Sequence, residues 1–430
     1  MQTEFPEAAL HVPTILLPRE DVSLTSWAVI ACDQYTSEPE YWEEVEKRIG
    51  QAPSTLPLIF PEVYLETADR GAVVDAINAC MDEYAGGGVL RELPPGFVSV
   101  ERTMKRGVVR RGLMVALDLE HYDYRDGAQE LIRTTEGTVL GRLPPRIEVR
   151  QRARIEVPHI MVLIDDPQRT VIEPLFAEER PPVYEGELML DGGHVRGFHI
   201  GDAASIERVA ASLAALKRGE PPFLYAMGDG NHSFATAKAV WEQIKAEAPS
   251  PESVLDHPAR YALVELVNIH DEGLEFEPIH RVVFGVETEE LMAAAASFFA
   301  AQDFNWAFCE DEIDADEQAS GHTIGFCSGQ RRGWMRIGDP NVQLPAGALQ
   351  EFIDDFIEGY SLAKVDYIHG EASLEKLAAT PQCTGFYLPA LAKDNFFQTI
   401  ALEGALPRKT FSLGEAEEKR YYVECRRIAP

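Results

Sequence analysis

Short apolar runs broken by polar turns alternate along this chain with stretches of helical periodicity. Trp27-Ala28-Val29-Ile30-Ala31 predicts a buried strand. Ser37-Glu38-Pro39-Glu40 then opens a helix, with Ser37 as N-cap, Glu40 completing a capping box and Gly50 as the stop. Arg70 to Tyr84 is a second amphipathic helix, ended by Gly86-Gly87-Gly88. Between residues 95 and 175 the pattern turns strand-like, at Val98–Val100, Gly112–Leu117, Ile147–Val149 and His159–Ile164. Ala203 to Lys217 predicts a helix. The apolar run Leu224–Met227 predicts a buried strand, followed by a Gly-Asp-Gly-Asn turn and a helix from Phe234 to Lys245.

A proline-rich stretch at Ala248–Glu252 marks a domain boundary, giving an N-terminal domain over residues 1–250 and a C-terminal one over 258–430. The second domain is predicted to hold a strand at Tyr261–Ile269, helices at Thr288–Ala301 and Gly347–Phe356, a hairpin from Ile324–Phe326 to Trp334–Ile337, and a final strand at Tyr421–Cys425. Strands and helices alternate without a regular βαβ rhythm, so the fold class is α+β, or mixed α/β.

Charge narrows the partners. The 430 residues carry 39 Lys and Arg against 71 Asp and Glu, a formal net charge of −32. Such a chain repels nucleic acid and anionic membranes. No run of eighteen apolar residues predicts a membrane span. The first residues lack the basic-then-apolar pattern of a secretory signal. The six cysteines are scattered and contain no C-x-x-C pair, as expected of reduced thiols in the cytoplasm. Arginine concentrates in two islands, Glu101–Arg111 and Leu131–Arg154. Each either neutralises the chain's own carboxylates or attracts a small anion.

Four stretches carry candidate chemistry. At Asp229-Gly230-Asn231-His232-Ser233, a strand meets a helix start, where free N–H groups and the helix dipole favour phosphate. Asp229 can hold a magnesium ion or accept a proton. Gly230, Asn231, His232 and Ser233 can cradle the phosphates. The alternative is a plain strand–turn–helix corner. The segment is neither a Walker A loop nor a complete dinucleotide fingerprint. Asp33 and Glu38 lie between a predicted strand and helix, as candidate bases or as members of a polar connecting loop. Arg133, Glu136 and Arg146 lie within fourteen residues and suit a carboxylate or phosphate ligand, or a solvated hairpin. Lys409, beside a proline turn in Leu406-Pro407-Arg408-Lys409, can close over phosphates, while Glu415–Arg420 has the composition of a solvated segment. His159, His280 and His369 have the setting of structural histidines. No H-E-x-x-H and no G-x-S-x-G appears.

Taken together, Trp27–Trp42, Arg133–Arg146, Gly228–Phe234, Pro278–Arg281 and Leu406–Arg420 resemble the prokaryotic domain of unknown function 1015 family over nearly the whole chain. The glycine turn is similar to that family's Asp-Gly-His-His-Arg box. That box in turn resembles the phosphate-binding box of the ParB/sulfiredoxin-like superfamily, which includes free-serine kinases. Asn231 replaces the first His and Ser233 the Arg, which removes a bidentate phosphate ligand.

The resemblance implies a ParB/sulfiredoxin-like core with a C-terminal α+β portion, and a nucleotide, ATP or ADP with Mg²⁺, at Asp229–Ser233. It implies phosphoryl transfer to a small hydroxyl-bearing metabolite, serine foremost. Asp33, Glu38, Asp229 and His232 are then catalytic, with Asp229 as the metal ligand. Lys409 joins the nucleotide site, and Arg133, Glu136, Arg146, His280 and Arg281 bind substrate. The expected partners are that nucleotide and substrate, with a homodimer admitted. The competing reading is a nucleotide or metabolite sensor without catalysis.

Overall fold

The computed structural model describes residues 1–302, 304–309, 321–338, 344–407 and 409–430. Arg408 therefore lies outside the described residues. The fold is mixed α/β, with two compact units. One comprises Met1–Glu275 together with Leu413–Pro430, and the other Phe276–Ser412.

The first unit is built on a ten-stranded sheet. Its main path runs Pro182–Leu188, Gly193–Ile200, Phe97–Thr103, Val109–Asp118, Tyr261–Asn268, Met161–Ile164, Tyr225–Asp229 and Ile132–Arg133. Pairing is antiparallel until Met161–Ile164, which runs parallel to Tyr261–Asn268 and antiparallel to Tyr225–Asp229. Every residue of Tyr261–Asn268 is buried. That burial corrects the expected boundary. The strand lies mid-sheet between Val109–Asp118 and Met161–Ile164, so the unit extends past residue 250 to Glu275.

The last residues return to this unit. Tyr421–Tyr422 pairs antiparallel with Val29–Ile30, and Cys425–Arg427 joins Ile15–Pro18 and Ile155–Glu156. The indole of Trp27 donates to the Val423 carbonyl at 2.9 Å.

Most helices stand where the pattern places them: Pro39–Ile49, Arg70–Ala85 and Ala203–Ala215. Asp69 and Asp202 cap the latter two through Ala72 N–H and Ser205 N–H. The first begins at Pro39 with Glu38 as its cap residue and no side-chain cap bond, so the Ser37 capping box does not form.

One element changes type. Ile147–Val149 belongs to the helix Leu143–Arg150, not to a strand. Pro144 and Pro145 fit the first helical turn, and the segment packs on the helix Asn231–Glu247.

The second unit is an antiparallel sheet among the described residues. Its order is Asn305–Cys309, Arg331–Gly338, His322–Ser328, Cys383–Tyr387, Phe276–Phe284 and Lys364–His369. Helices Thr288–Ala301 and Pro345–Gly359 contribute to its core through Leu291, Phe299, Phe352 and Ile353. Thr288 does not cap its helix. Its hydroxyl meets Ser328 and Thr384 instead.

No disulfide joins any of the described cysteines. Among the described residues no helix is long and apolar enough to cross a membrane. The arginine islands largely serve the chain itself. Arg102 donates to the carbonyls of Gly192, Glu418 and Lys419, and Arg110 to that of Glu418. Arg146, Arg150, Arg152 and Arg154 pair with Glu62, Glu156, Asp75 and Asp82.

Candidate functional site

Tyr225–Asp229 ends at Gly230, and the helix Asn231–Glu247 starts there. Gly230 has φ +76°, and a Cβ at this position would lie 3.1 Å from Ile160 Cα. Only glycine fits. Gly230→Ala is expected to cost the fold about 1–2 kcal/mol, from left-handed strain plus this close backbone approach, read from denaturant midpoints at unchanged slope. The helix begins three residues earlier than its apolar period indicates, and no side chain caps it.

Asp229 Oδ1 accepts the Gly230 N–H at 2.8 Å, and Oδ2 lies 3.5 Å from Lys419 Nζ. Asn231 Oδ1 accepts from Thr134 Oγ1 at 2.8 Å. Thr134 Oγ1 also meets the Glu136 carbonyl at 2.6 Å, so Glu136 reaches the turn through its backbone. Thr135 Oγ1 donates to the Met227 carbonyl. His232 Nε2 accepts the Val139 N–H at 3.3 Å and so holds this loop, not a phosphate, with that nitrogen.

His159 joins the turn to Asp33. Its Nε2 is 3.5 Å from Asp33 Oδ2 and 3.4 Å from Ser233 Oγ. Its Nδ1 is 2.8 Å from the Tyr422 hydroxyl, which itself accepts the Cys32 N–H at 3.0 Å. When Tyr422 donates to Nδ1, the ring proton sits on Nε2 and faces both Asp33 and Ser233.

Burial alone would raise the Asp33 carboxyl. The charge and hydrogen bond of His159, the Gln34 amide at 3.0 Å and the Lys419 ammonium outweigh it and hold the group below its usual range. Burial, helped by Cys32 and Asp33, pushes the Tyr422 phenol well up, so it stays protonated. Burial and Asp33 push the Cys32 thiol up to about 11. Iodoacetamide at pH 8 is therefore expected to label Cys32 at least tenfold more slowly than a free cysteine peptide, read by mass spectrometry of the tryptic fragment.

Beside this cluster lies a cavity of about 140 Å³, bordered by Cys32, His159, Ser233 and Tyr422, by Arg146 and Arg150, and by a wall of aliphatic side chains. Cavity, turn and cluster all belong to the first unit.

Several expected ligands are engaged elsewhere. Arg133 is buried, donates to the Glu130 and Pro221 carbonyls, and lies over the Phe223 ring at 4.5 Å, so it packs the fold and does not face the turn. His280 and Arg281 are buried in the second unit. His280 Nδ1 accepts the Leu388 N–H. Arg281 donates to Gln350 and to the Ile279 and Lys409 carbonyls, against the Tyr367 ring. Both have structural partners in place of a ligand. Lys409, in the same unit, has its ammonium 6.0 Å from the Tyr367 ring. Glu38 is exposed at its helix start.

Asp229 does not present a metal-ligand set. Both its oxygens meet nitrogen donors, and no three His, Cys, Asp or Glu side chains converge among the described residues.

Residues 14–355 match the family described as "Protein of unknown function (DUF1015)". The chain belongs to this family. Among curated proteins none matches it. Among solved structures it is similar to a conserved hypothetical protein from Pyrococcus furiosus, at 11% identity and a TM-score of 0.35 over 72% of this chain and 90% of that one. It is similar to a mutant free serine kinase in complex with ADP, at 11% identity and a TM-score of 0.40 over 73% and 92%. It is also similar to SbnI from Staphylococcus aureus, at 11% identity and a TM-score of 0.37 over 70% and 82%.

Sequence reasoning reaches the turn and Asp33 and misses what completes them. Lys419 and Tyr422 come from a segment whose composition is that of a solvated surface, yet Lys419 is 9% and Tyr422 1% exposed. The one local signal is Tyr421-Tyr422-Val423, an apolar run directly after those charges. His159 has the setting of a structural histidine in sequence. Only tertiary pairing sets its two nitrogens between Tyr422 and Asp33.

Proposed function

We propose that the first unit binds the phosphates of ATP or ADP at the start of the helix Asn231–Glu247 and transfers a phosphoryl group to a small hydroxyl-bearing metabolite. The observation that carries this reading is the convergence of two carboxylates, one imidazole and one ammonium on an uncapped helix N-terminus, at Asp33, Asp229, His159, Lys419 and Gly230–Ser233.

Each group has a task. First-turn N–H groups and the helix dipole hold the anion. Lys419 neutralises phosphate charge. Asp33, kept ionised, takes the proton of the attacking hydroxyl. His159 orients Asp33 and is itself oriented by Tyr422. In such a transfer the bond from the terminal phosphorus to its bridging oxygen breaks, the nucleotide leaves with that electron pair, and the acceptor oxygen bonds to phosphorus. Catalysis is then mainly positioning and charge, which suits a site of fixed donors. Cysteines without a disulfide support a cytoplasmic setting in this reading.

The second reading, a sensor without turnover, draws on Ser233, which offers no guanidinium to grip a transferring phosphoryl group. A thermal-shift series with ATP, ADP and AMP, with and without magnesium, followed by ³¹P NMR of mixtures with hydroxy acids and serine, separates the two. Saturation at a hundred times Kd stabilises the unit by about 2.7 kcal/mol in either reading. A new phosphomonoester signal belongs to the enzyme alone. No shift with any nucleotide sinks both.

A further inference from the structure

The cavity beside His159 says more about the acceptor than the turn does. Its position is the first argument. His159 and Ser233 border it, and Asp33 is 3.5 Å from His159, so its occupant is the molecule able to lose a proton to Asp33. The phosphates approach from the helix start, where Asp229 and Lys419 stand.

Its walls are the second argument. Leu58, Ile59, Met81, Val149 and Ile155 are among the side chains that bound it. A cavity of about 150 Å³ with aliphatic walls takes a benzene-sized body, and this one has about 140 Å³.

Its charge is the third. Glu156 accepts from Arg150 at 2.7 Å and from Arg426 at 2.6 Å, so two guanidinium groups share one carboxylate. Arg150 borders the cavity, and its buried Nε–H has no hydrogen-bond partner. A buried donor of that kind calls for an acceptor. Glu62 also borders the cavity but already pairs with Arg146. An ammonium group entering here meets no unpaired carboxylate on Glu62 or Glu156.

We propose that the cavity takes a hydroxy acid with an aliphatic body of about four to six carbons, its carboxylate on Arg150 and its hydroxyl toward Ser233 and Asp33. This assignment rests on the phosphotransfer reading for the fate of the hydroxyl, but not for binding itself. It sets an amine-free, branched acceptor above serine, because serine lacks the apolar body and brings an ammonium the cavity does not match.

The test is calorimetric titration of the full chain without nucleotide, using 4-methylpentanoate, 2-hydroxy-4-methylpentanoate and serine. The first has no hydroxyl and no nucleotide is present, so its binding reports the cavity alone. Both acids are expected to bind, and serine at least tenfold more weakly. Arg150→Gln should weaken the acids about tenfold or more, as loss of a charge-assisted hydrogen bond does. Val149→Phe, which fills the cavity, should do the same at an unchanged melting temperature, and it stands as the test if Arg150→Gln fails to fold. Serine binding as tightly as the acids, or neither acid binding, overturns the assignment. Acids that bind and are never phosphorylated overturn the transfer reading and leave the cavity assigned.

Discussion

Asp33→Asn is expected to slow phosphoryl transfer by about two to four orders of magnitude, the range of a positioned general base, while nucleotide affinity stays within about threefold. The substitution is nearly isosteric and keeps a hydrogen-bonding group in place. It removes the charge that faces His159 Nε2 at 3.5 Å, and with it the proposed acceptor of the hydroxyl's proton. In the proposed reading the helix start, which Asp33 does not build, holds the phosphates, so binding and turnover should separate. Single-turnover rates beside calorimetric Kd values check this. Full-rate transfer by the variant removes Asp33 from the chemistry.

The pH profile follows with a definite sign. The carboxyl is held below its ordinary value of 3.8 in the folded chain. Its stabilising contribution is therefore complete above pH of about 4 and is lost as pH falls through the lower folded value. Neither stability nor rate should show an Asp33 titration between pH 5 and 8, and any inflection in that window belongs to another group. A depressed carboxyl is a weak ground-state base. In a loose transition state the proton leaves late, so placement counts for more than basicity.

The parts of this molecule that sequence makes legible are those fixed by local physics. Asp229-Gly230 at a strand end is a turn because an αL residue is needed there, and φ +76° at Gly230 is that requirement met. The helix Arg70–Ala85 carries its own period, and Gly86 follows it. The hairpin of His322–Ser328 with Arg331–Gly338 is written in alternation and a short turn.

What stays hidden is non-local. Ile147-Glu148-Val149 has β-branched residues and becomes helical because the helix Asn231–Glu247 packs on it. Tyr261–Asn268 looks like the start of a second domain, and its partners at Val109–Asp118 lie some hundred and fifty residues away. Glu418, Lys419 and Arg420 have a solvated composition and are all buried, since each meets a counter-charge from a distant part of the chain, at Arg106, Asp229 and Glu265. A charge pattern read along the chain cannot contain a pairing made across it. The site divides the same way. The strand–turn–helix corner is local and legible, whereas His159, Lys419 and Tyr422 are brought together only by the returning C-terminal residues.

Arg420→Ala is expected to lower the stability of the first unit by about 3–5 kcal/mol, the cost of breaking a buried ion pair from one side. Arg420 is 5% exposed and donates to both Glu265 and Glu424, themselves 3% and 0% exposed. Its Nε meets the Pro158 carbonyl at 3.4 Å, directly beside His159. Removing the guanidinium leaves two carboxylates in the core without that partner. Burial on its own would raise Glu265, and Arg420 and Arg110 are what pull it below 4.5. In the variant that pull weakens, so the folded chain takes up a proton on Glu265 at a higher pH, and the deficit in stability against the parent chain should shrink as pH falls.

Urea denaturation at pH 7 and pH 5 measures both effects. Arg152→Ala is the contrast. Arg152 and Asp75 are each more than half exposed, and loss of their 2.7 Å pair should change stability by less than about 0.5 kcal/mol. Glu424→Gln combined with Arg420→Ala should recover part of the loss, because it removes one of the two stranded charges. If Arg420→Ala and Arg152→Ala destabilise equally, the cluster beneath Tyr422 is not what anchors the C-terminal residues. The placement of Tyr422 and Lys419 would then need another cause.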